Sequence, residues 1–158
     1  MLNMWVKRVE GGFILKGKDS LVTDVLVELG LENAKAALLP ETCSQKAELT
    51  DHEVLDAAEH FQYRACVGKL LHFSAHRADT QHGLGVLSTA LSAPTRGDQR
   101  RLKKMAFFLA GTRDVLLQLI PDRNANTIDC FVDADWADKQ SDRRSTSGGV
   151  LQYYGCTI

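Results

Sequence analysis

Carboxylates crowd one short stretch of this 158-residue chain, Asp129-Cys130-Phe131-Val132-Asp133-Ala134-Asp135-Trp136-Ala137-Asp138. In an extended strand alternate side chains share a face. Asp129, Phe131, Asp133 and Asp135 therefore stand together, and Ile128, Cys130 and Val132 take the other side. Like charges two residues apart on one face repel, and burying them unpaired is costly. Two arrangements answer that repulsion. The strand end lies in water, or it offers oxygens to a hard divalent cation, which prefers carboxylate ligands. Asp133 is one of the carboxylates on that face that could serve. Asp135, roughly 6.5 Å further along the strand, is a helper or is simply solvated. A few residues on comes Ser141-Asp142-Arg143-Arg144-Ser145-Thr146-Ser147-Gly148-Gly149. The guanidinium and hydroxyl donors of Arg143, Arg144, Ser145, Thr146 and Ser147 suit phosphate, and they suit a polar hairpin loop equally well.

A second group of chemistry-bearing residues is basic. The formal net charge of −1 conceals a strong asymmetry along the chain. Residues 1–60 carry 6 basic and 11 acidic groups, residues 61–120 carry 9 and 3, and residues 121–158 carry 4 and 6. The middle third is the part suited to a phosphate backbone. Within it Arg96, Arg100, Lys103 and Phe107 recur at helical spacing, with Arg101 and Lys104 beside them. Arg100, Lys103 and Lys104 are the candidate nucleic-acid contacts, with a solvated helix face as the plain alternative. His72 and His76, four apart, have the spacing of a zinc pair but lack the glutamate of a HExxH motif. The 4 cysteines show no CxxC spacing and read as small core residues of a reducing, intracellular compartment.

Elements must hold these groups in place. An apolar fraction of 44% and a charged fraction of 25% are ordinary for a globular protein. No apolar run is long enough for a membrane span, and no secretory leader opens the chain. Alternation around Gly11-Gly12 predicts a β-hairpin. A helix follows from Asp19 or Ser20, with Leu21, Val25 and Leu29 in one stripe and Gly30 as its stop. Residues 31–55, with Pro40, read as a loop or linker. Tyr63, Cys66, Val67, Leu70, Leu71 and Ser74 form the best helical stripe in the chain. Gly68 within it suggests a close helix crossing. A second helix starts near Asp79 or Thr80 and lines Leu84, Leu87 and Leu91. A third is announced by Pro94-Thr95 with Asp98 as a capping partner, and carries Leu102, Met105, Ala106 and Leu109 inward until Gly111. Val115–Ile120, 128–134 and 149–154 read as strands. The fold class is α+β: an N-terminal β-hairpin and helix, a central three-helix bundle, and a C-terminal antiparallel sheet.

Several of these stretches together resemble the Pol polyproteins of copia-type retrotransposons. Val132-Asp133-Ala134-Asp135-Trp136-Ala137 and Asp142-Arg143-Arg144-Ser145-Thr146-Ser147-Gly148 are similar to two runs that open the family's RNase H domain. Val132 stands where the family has serine, and Asp138 where it has glycine. Tyr63-Arg64-Ala65-Cys66-Val67-Gly68-Lys69-Leu70-Leu71, Arg77-Ala78-Asp79, Leu87-Ser88 through Pro94-Thr95, and Phe108-Leu109-Ala110-Gly111-Thr112 resemble family segments upstream. Gly12-Phe13-Ile14-Leu15 and Leu38-Leu39-Pro40 are looser matches. The resemblance implies three parts: residues 1–55 as the end of a reverse-transcriptase palm with a primer-grip-like hairpin, 56–112 as a thumb-like helical bundle, and 113–158 as the first strands of an RNase H sheet. It implies RNA·DNA hybrid or template–primer duplex as partner, Mg²⁺ or Mn²⁺ as the intact enzyme's cofactor, and Asp133 as the first of its metal-binding carboxylates. The later carboxylates, and a Tyr-x-Asp-Asp-type polymerase pair, have no counterpart in these residues. The implied piece thus holds parts of two enzymes and the complete active site of neither, and no catalysis is expected from it alone. A non-enzymatic nucleic-acid-binding remnant and a decayed genomic relic are the alternatives.

Overall fold

The computed structural model describes residues 4–33, 35–37, 51–135 and 145–158. Among them run β1 (Met4–Val9), β2 (Gly12–Gly17), α1 (Asp19–Glu28), α2 (Ala57–Phe73), α3 (Ala78–Thr89), α4 (Arg96–Gly111), β3 (Leu117–Leu119), β4 (Ile128–Asp135), β5 (Thr146–Tyr153) and β6 (Cys156–Thr157). A single 3₁₀ turn, Ser74–His76, links α2 to α3. The class is α+β, and no described helix is long and apolar enough to cross a membrane.

The chain divides into two compact units. One is Lys16–Leu117 with the beginning of β1; the other is Val6–Leu15 with Gln118–Ile158.

The first unit is built on its helices. Tyr63, Cys66, Val67 and Leu70 of α2 are buried as their spacing requires, and Leu102, Met105, Ala106 and Leu109 of α4 meet them. Leu84 and Leu87 of α3 complete that side. Val22, Val25 and Leu26 are buried in the same core, so α1 joins the bundle as a fourth member. Gly30, at φ +66°, closes α1. Leu31 N–H then donates back to the Leu26 carbonyl at 2.8 Å, satisfying a helix-end acceptor. Asp56 caps α2 in a reciprocal box with Glu59, and Thr95 caps α4 in the same way with Asp98. The start of α3 differs from the expected one: Arg77 is the N-cap, without a side-chain cap bond, and Thr80 lies inside the helix. Gly68 is exposed, and a Cβ placed there would meet nothing within 4 Å. The close approach lies instead at Gly17, where a Cβ would overlap the rings of His76 and Phe73.

The second unit is β-rich. Strands β1, β2 and β3 order as one sheet, with Gly11 at φ +80° in the two-residue hairpin turn. The strand expected over 115–120 shortens to Leu117–Leu119, and it lies beside β2. Strands β4, β5 and β6 form the other sheet, all antiparallel neighbours. Tyr154 and Gly155, both at positive φ, make the tight turn into β6. Cys130 is exposed, against its expected core place, whereas Cys66 and Cys156 are buried.

Candidate functional site

Asp133 sits near the end of β4, which pairs with β5 over eight residues from Ile128↔Tyr153 to Asp135↔Thr146. β-propensity and alternation set that register: Val132, Cys130 and Ile128 fall opposite Gly149, Leu151 and Tyr153. On the other face Asp129, Phe131 and Asp133 stand opposite Gln152, Val150 and Gly148. Asp133 is exposed. Its Oδ1 accepts the backbone N–H of Ala134 at 2.9 Å. Gly148 across the ladder has no side chain, and a Cβ there would meet nothing within 4 Å among the described residues. Asp129 accepts from the Thr127 hydroxyl at 3.0 Å and lies four residues back along the strand. The side chain of Asp135, and all of Arg143 and Arg144, lie outside the described residues. Ser145 is exposed just before β5. Thr146 and Ser147 belong to the strand rather than to a loop.

One carboxylate alone is a weak hold on a divalent ion, which takes six or more oxygens; Mg²⁺ keeps several of them as water and is usually held by one or two carboxylates together with substrate phosphates. No group of three or more His, Cys, Asp or Glu side chains able to hold a metal occurs among the described residues. His72 is exposed and His76 buried.

The basic face of α4 is more occupied than its sequence suggests. Arg100 is exposed at the helix surface, yet its guanidinium donates to Asp51 Oδ2 at 2.6 Å. Arg96 pairs with Glu59 and stands 3.7 Å from Glu53. Arg101 bonds Asp98 at 3.1 Å. Lys103 and Lys104 are half-buried along the same helix. Hydrogen bonding from Arg100 holds the Asp51 carboxyl below the usual carboxylate range.

Sequence reasoning missed one site. Arg77 is almost fully buried, 2% exposed, although it is a charged residue. Its Nε and Nη2 donate to the two Asp79 carboxylate oxygens at 2.8 and 2.7 Å, and Nη1 donates to the Thr112 carbonyl at 2.9 Å. Nη2 also donates to the Thr112 hydroxyl at 2.8 Å, and the guanidinium lies 5.7 Å from the centre of the Phe108 ring. Arg77-Ala78-Asp79 and Gly111-Thr112 were visible as separate motifs, but nothing in their spacing said that they touch. A second, partly exposed cluster joins α1 to α2: Glu28 accepts from Lys69, and from Cys66 Sγ at 3.1 Å. Burial, then the Glu28 hydrogen bond, pushes the Cys66 thiol up to about 12, which removes it as a nucleophile.

Comparison with known proteins agrees with the motif resemblance. The chain is 29% identical over 150 residues to a retrovirus-related Pol polyprotein from transposon RE2 of Arabidopsis thaliana, covering 95% of this chain and 10% of that protein. It is 28% identical over 151 residues to the retrovirus-related Pol polyprotein from transposon RE1 of the same plant, with 95% and 10% covered. It is also 24% identical over 157 residues to the uncharacterized mitochondrial protein AtMg00810 of that plant, 99% of this chain and 63% of the other. The chain therefore spans about a tenth of the length of the two Pol polyproteins it matches. No protein-family model matches it. No solved structure matches it either. Across almost its whole length, this chain is similar to Pol polyproteins of retrotransposons.

Proposed function

We propose that the chain corresponds to the stretch of a copia-type Pol polyprotein that joins reverse transcriptase to RNase H, and that it serves in the handling of template–primer or RNA·DNA hybrid. The observation that carries this is the match to two Pol polyproteins over 95% of the chain. In this reading the helices over 57–111 are thumb-like and β4–β5 opens an RNase H-like sheet. Arg100, Lys103, Lys104, Arg143, Arg144 and Ser145 are the phosphate contacts, and an intracellular site of action follows. Asp133 is the carboxylate this stretch lends to a divalent ion, Mg²⁺ or Mn²⁺. In hydrolysis of a phosphodiester such ions, held by several carboxylates, activate water and stabilise the leaving oxygen. The described side chains do not complete that set around Asp133, so no cleavage step is assigned to the chain by itself.

Binding of a fluorescein-labelled RNA·DNA hybrid, followed by anisotropy across a salt series, tests the proposal. Arg100→Gln, Lys103→Gln and Lys104→Gln together should weaken binding and flatten its salt dependence by about one unit of slope per lost phosphate contact. Binding that ignores all three changes sinks the assignment. Hybrid cleavage in Mg²⁺ that disappears with Asp133→Asn would instead make the chain a nuclease in its own right. A second reading, a remnant without selected activity, is favoured by the apolar side chains left exposed on β4 and β5, among them Val132 at 80% and Phe131 at 59%.

A further inference from the structure

The acidic segment before α2 lies on the basic end of α4. Val54 forms an antiparallel bridge with Thr95. Leu55 N–H donates to the Pro94 carbonyl at 3.0 Å. Arg96 N–H donates to the Glu53 carbonyl at 2.8 Å, and Gly97 N–H to the Asp51 carbonyl at 3.4 Å. Leu55, 6% exposed, anchors the segment in the helical core. Its side chains add Asp51 on Arg100 at 2.6 Å and Glu53 beside Arg96 at 3.7 Å, with Glu59 of α2 on Arg96 as well. Backbone carbonyls on N–H groups and carboxylates on guanidinium groups are the pairings a phosphate backbone would make. The two guanidinium groups keep 46% and 32% of their side-chain surface, so the ion pairs are screened and exchangeable.

We propose that residues 51–55 are an intramolecular strap that stands in for phosphate on α4 and competes with nucleic acid for Arg96 and Arg100. The inference rests on the nucleic-acid role proposed above and adds to it a built-in inhibitor. Freed of the strap's carboxylates, Arg100 gains a phosphate partner, while Arg96 loses Glu53 and keeps Glu59 of α2. Each such contact changes affinity by roughly half a decade between about 50 and 200 mM salt. The acidic excess of the first third of the chain then has a use: it masks the basic excess of the middle third.

The test compares the full chain with its Asp51→Asn, Glu53→Gln variant on a short fluorescein-labelled RNA·DNA hybrid. Both changes are isosteric and on the surface, and thermal melting of each protein checks that the fold is kept. The variant should bind about threefold tighter at about 50 mM salt, with a salt slope steeper by about one unit, and adding Arg100→Gln should reverse most of that gain. In parallel, NMR titration of the Asp51 carboxyl follows the strap directly. Its pKa, held down by Arg100 in the free protein, should climb when hybrid saturates the chain. Equal affinity in both proteins, with Arg100→Gln weakening both, overturns the strap while leaving the nucleic-acid role in place. An Asp51 titration unmoved by saturating hybrid overturns the strap as well. Absence of binding by either protein overturns the role and the strap together.

Discussion

At the scale of single residues, the most informative side chain is one with no chemistry to perform. Arg77 spends its guanidinium on Asp79, on the Thr112 hydroxyl and on the carbonyl that follows α4. It ties the start of α3 to the end of α4 at a point where four helix-end polar groups need partners. Removing one member of a buried charged network leaves the others unsatisfied, and Arg77→Ala should cost about 3 kcal/mol. Arg77→Lys should fail to rescue it, because an ammonium lacks the planar fork that reaches both partners. Urea denaturation measures both, and a Lys variant as stable as the parent would contradict the network. His76 offers a pH-dependent counterpart. Burial, the adjacent Arg77 charge and His72 hold its pKa below the ordinary 6.5. The unfolded chain therefore takes up a proton that the folded chain refuses, and stability rises with pH. The contribution is complete above about 6.5 and is lost as the pH falls below it toward the folded value. Melting temperature should be level above about pH 7 and decline toward pH 5, as stability falls by at most about 1.4 kcal/mol per pH unit for one proton. His76→Gln should level that decline. A decline of the same size in the variant would assign the effect elsewhere.

At the scale of elements, helix ends decide more than helix faces. The capping boxes of α2 and α4 use Asp56 with Glu59 and Thr95 with Asp98. Asp56→Ala and Thr95→Ala should each cost about 1 kcal/mol, and Thr95→Ser should cost little; chemical denaturation reads the difference, and an unchanged Thr95→Ala midpoint would show that the strap alone holds that end. The Thr95 box was legible because proline and an apolar stripe frame it. The Asp56 box had the same spacing but went unread, because the apolar stripe begins only at Tyr63. Periodicity identified Tyr63, Cys66, Val67 and Leu70 as core, yet it could not say that Phe73 would be buried and Leu71 left 38% exposed. Gly68 invites reading as a crossing point because a glycine in a helix demands a reason; Gly17 is a crowded glycine instead, and its neighbours Phe73 and His76 come from more than fifty residues away. Pairing at that distance leaves no local mark. The same holds for β3, which joins a hairpin about a hundred residues upstream. The strand bearing Asp133 and its partner were legible, since alternation and turn residues are local. That the acidic segment 51–55 would cover Arg96 and Arg100 was not.

At the scale of the whole chain, the two units differ in how they are held together. Every member of the main buried cluster, from Val22 to Leu109, belongs to the first. In the second, Cys156 is the buried apolar side chain among the described residues, while Ile128, Phe131, Val132, Val150, Leu151 and Tyr153 are exposed. Hydrogen exchange should follow that division: α2 and α4 amides protected to the level of global unfolding, and β4–β5 amides exchanging by easier local opening. Equal protection in both would contradict it. The exposed apolar residues have a further consequence. Among the described residues β4 is an end strand of its sheet, eight residues long and apolar on one face at Ile128, Cys130 and Val132. Long apolar edges recruit other strands, and a lysine on such an edge is a means by which proteins prevent this. Val132→Lys should therefore keep the chain monomeric, by size exclusion with light scattering, at concentrations where the parent associates. Val132 is 80% exposed, so the change should leave the melting temperature nearly where it was. Val27 on α1 is also exposed, at 53%, and Val27→Lys serves as the control for added charge alone. If both lysines suppress association equally, net charge and not the β4 edge is responsible; if neither does, the edge is not where copies of this chain meet.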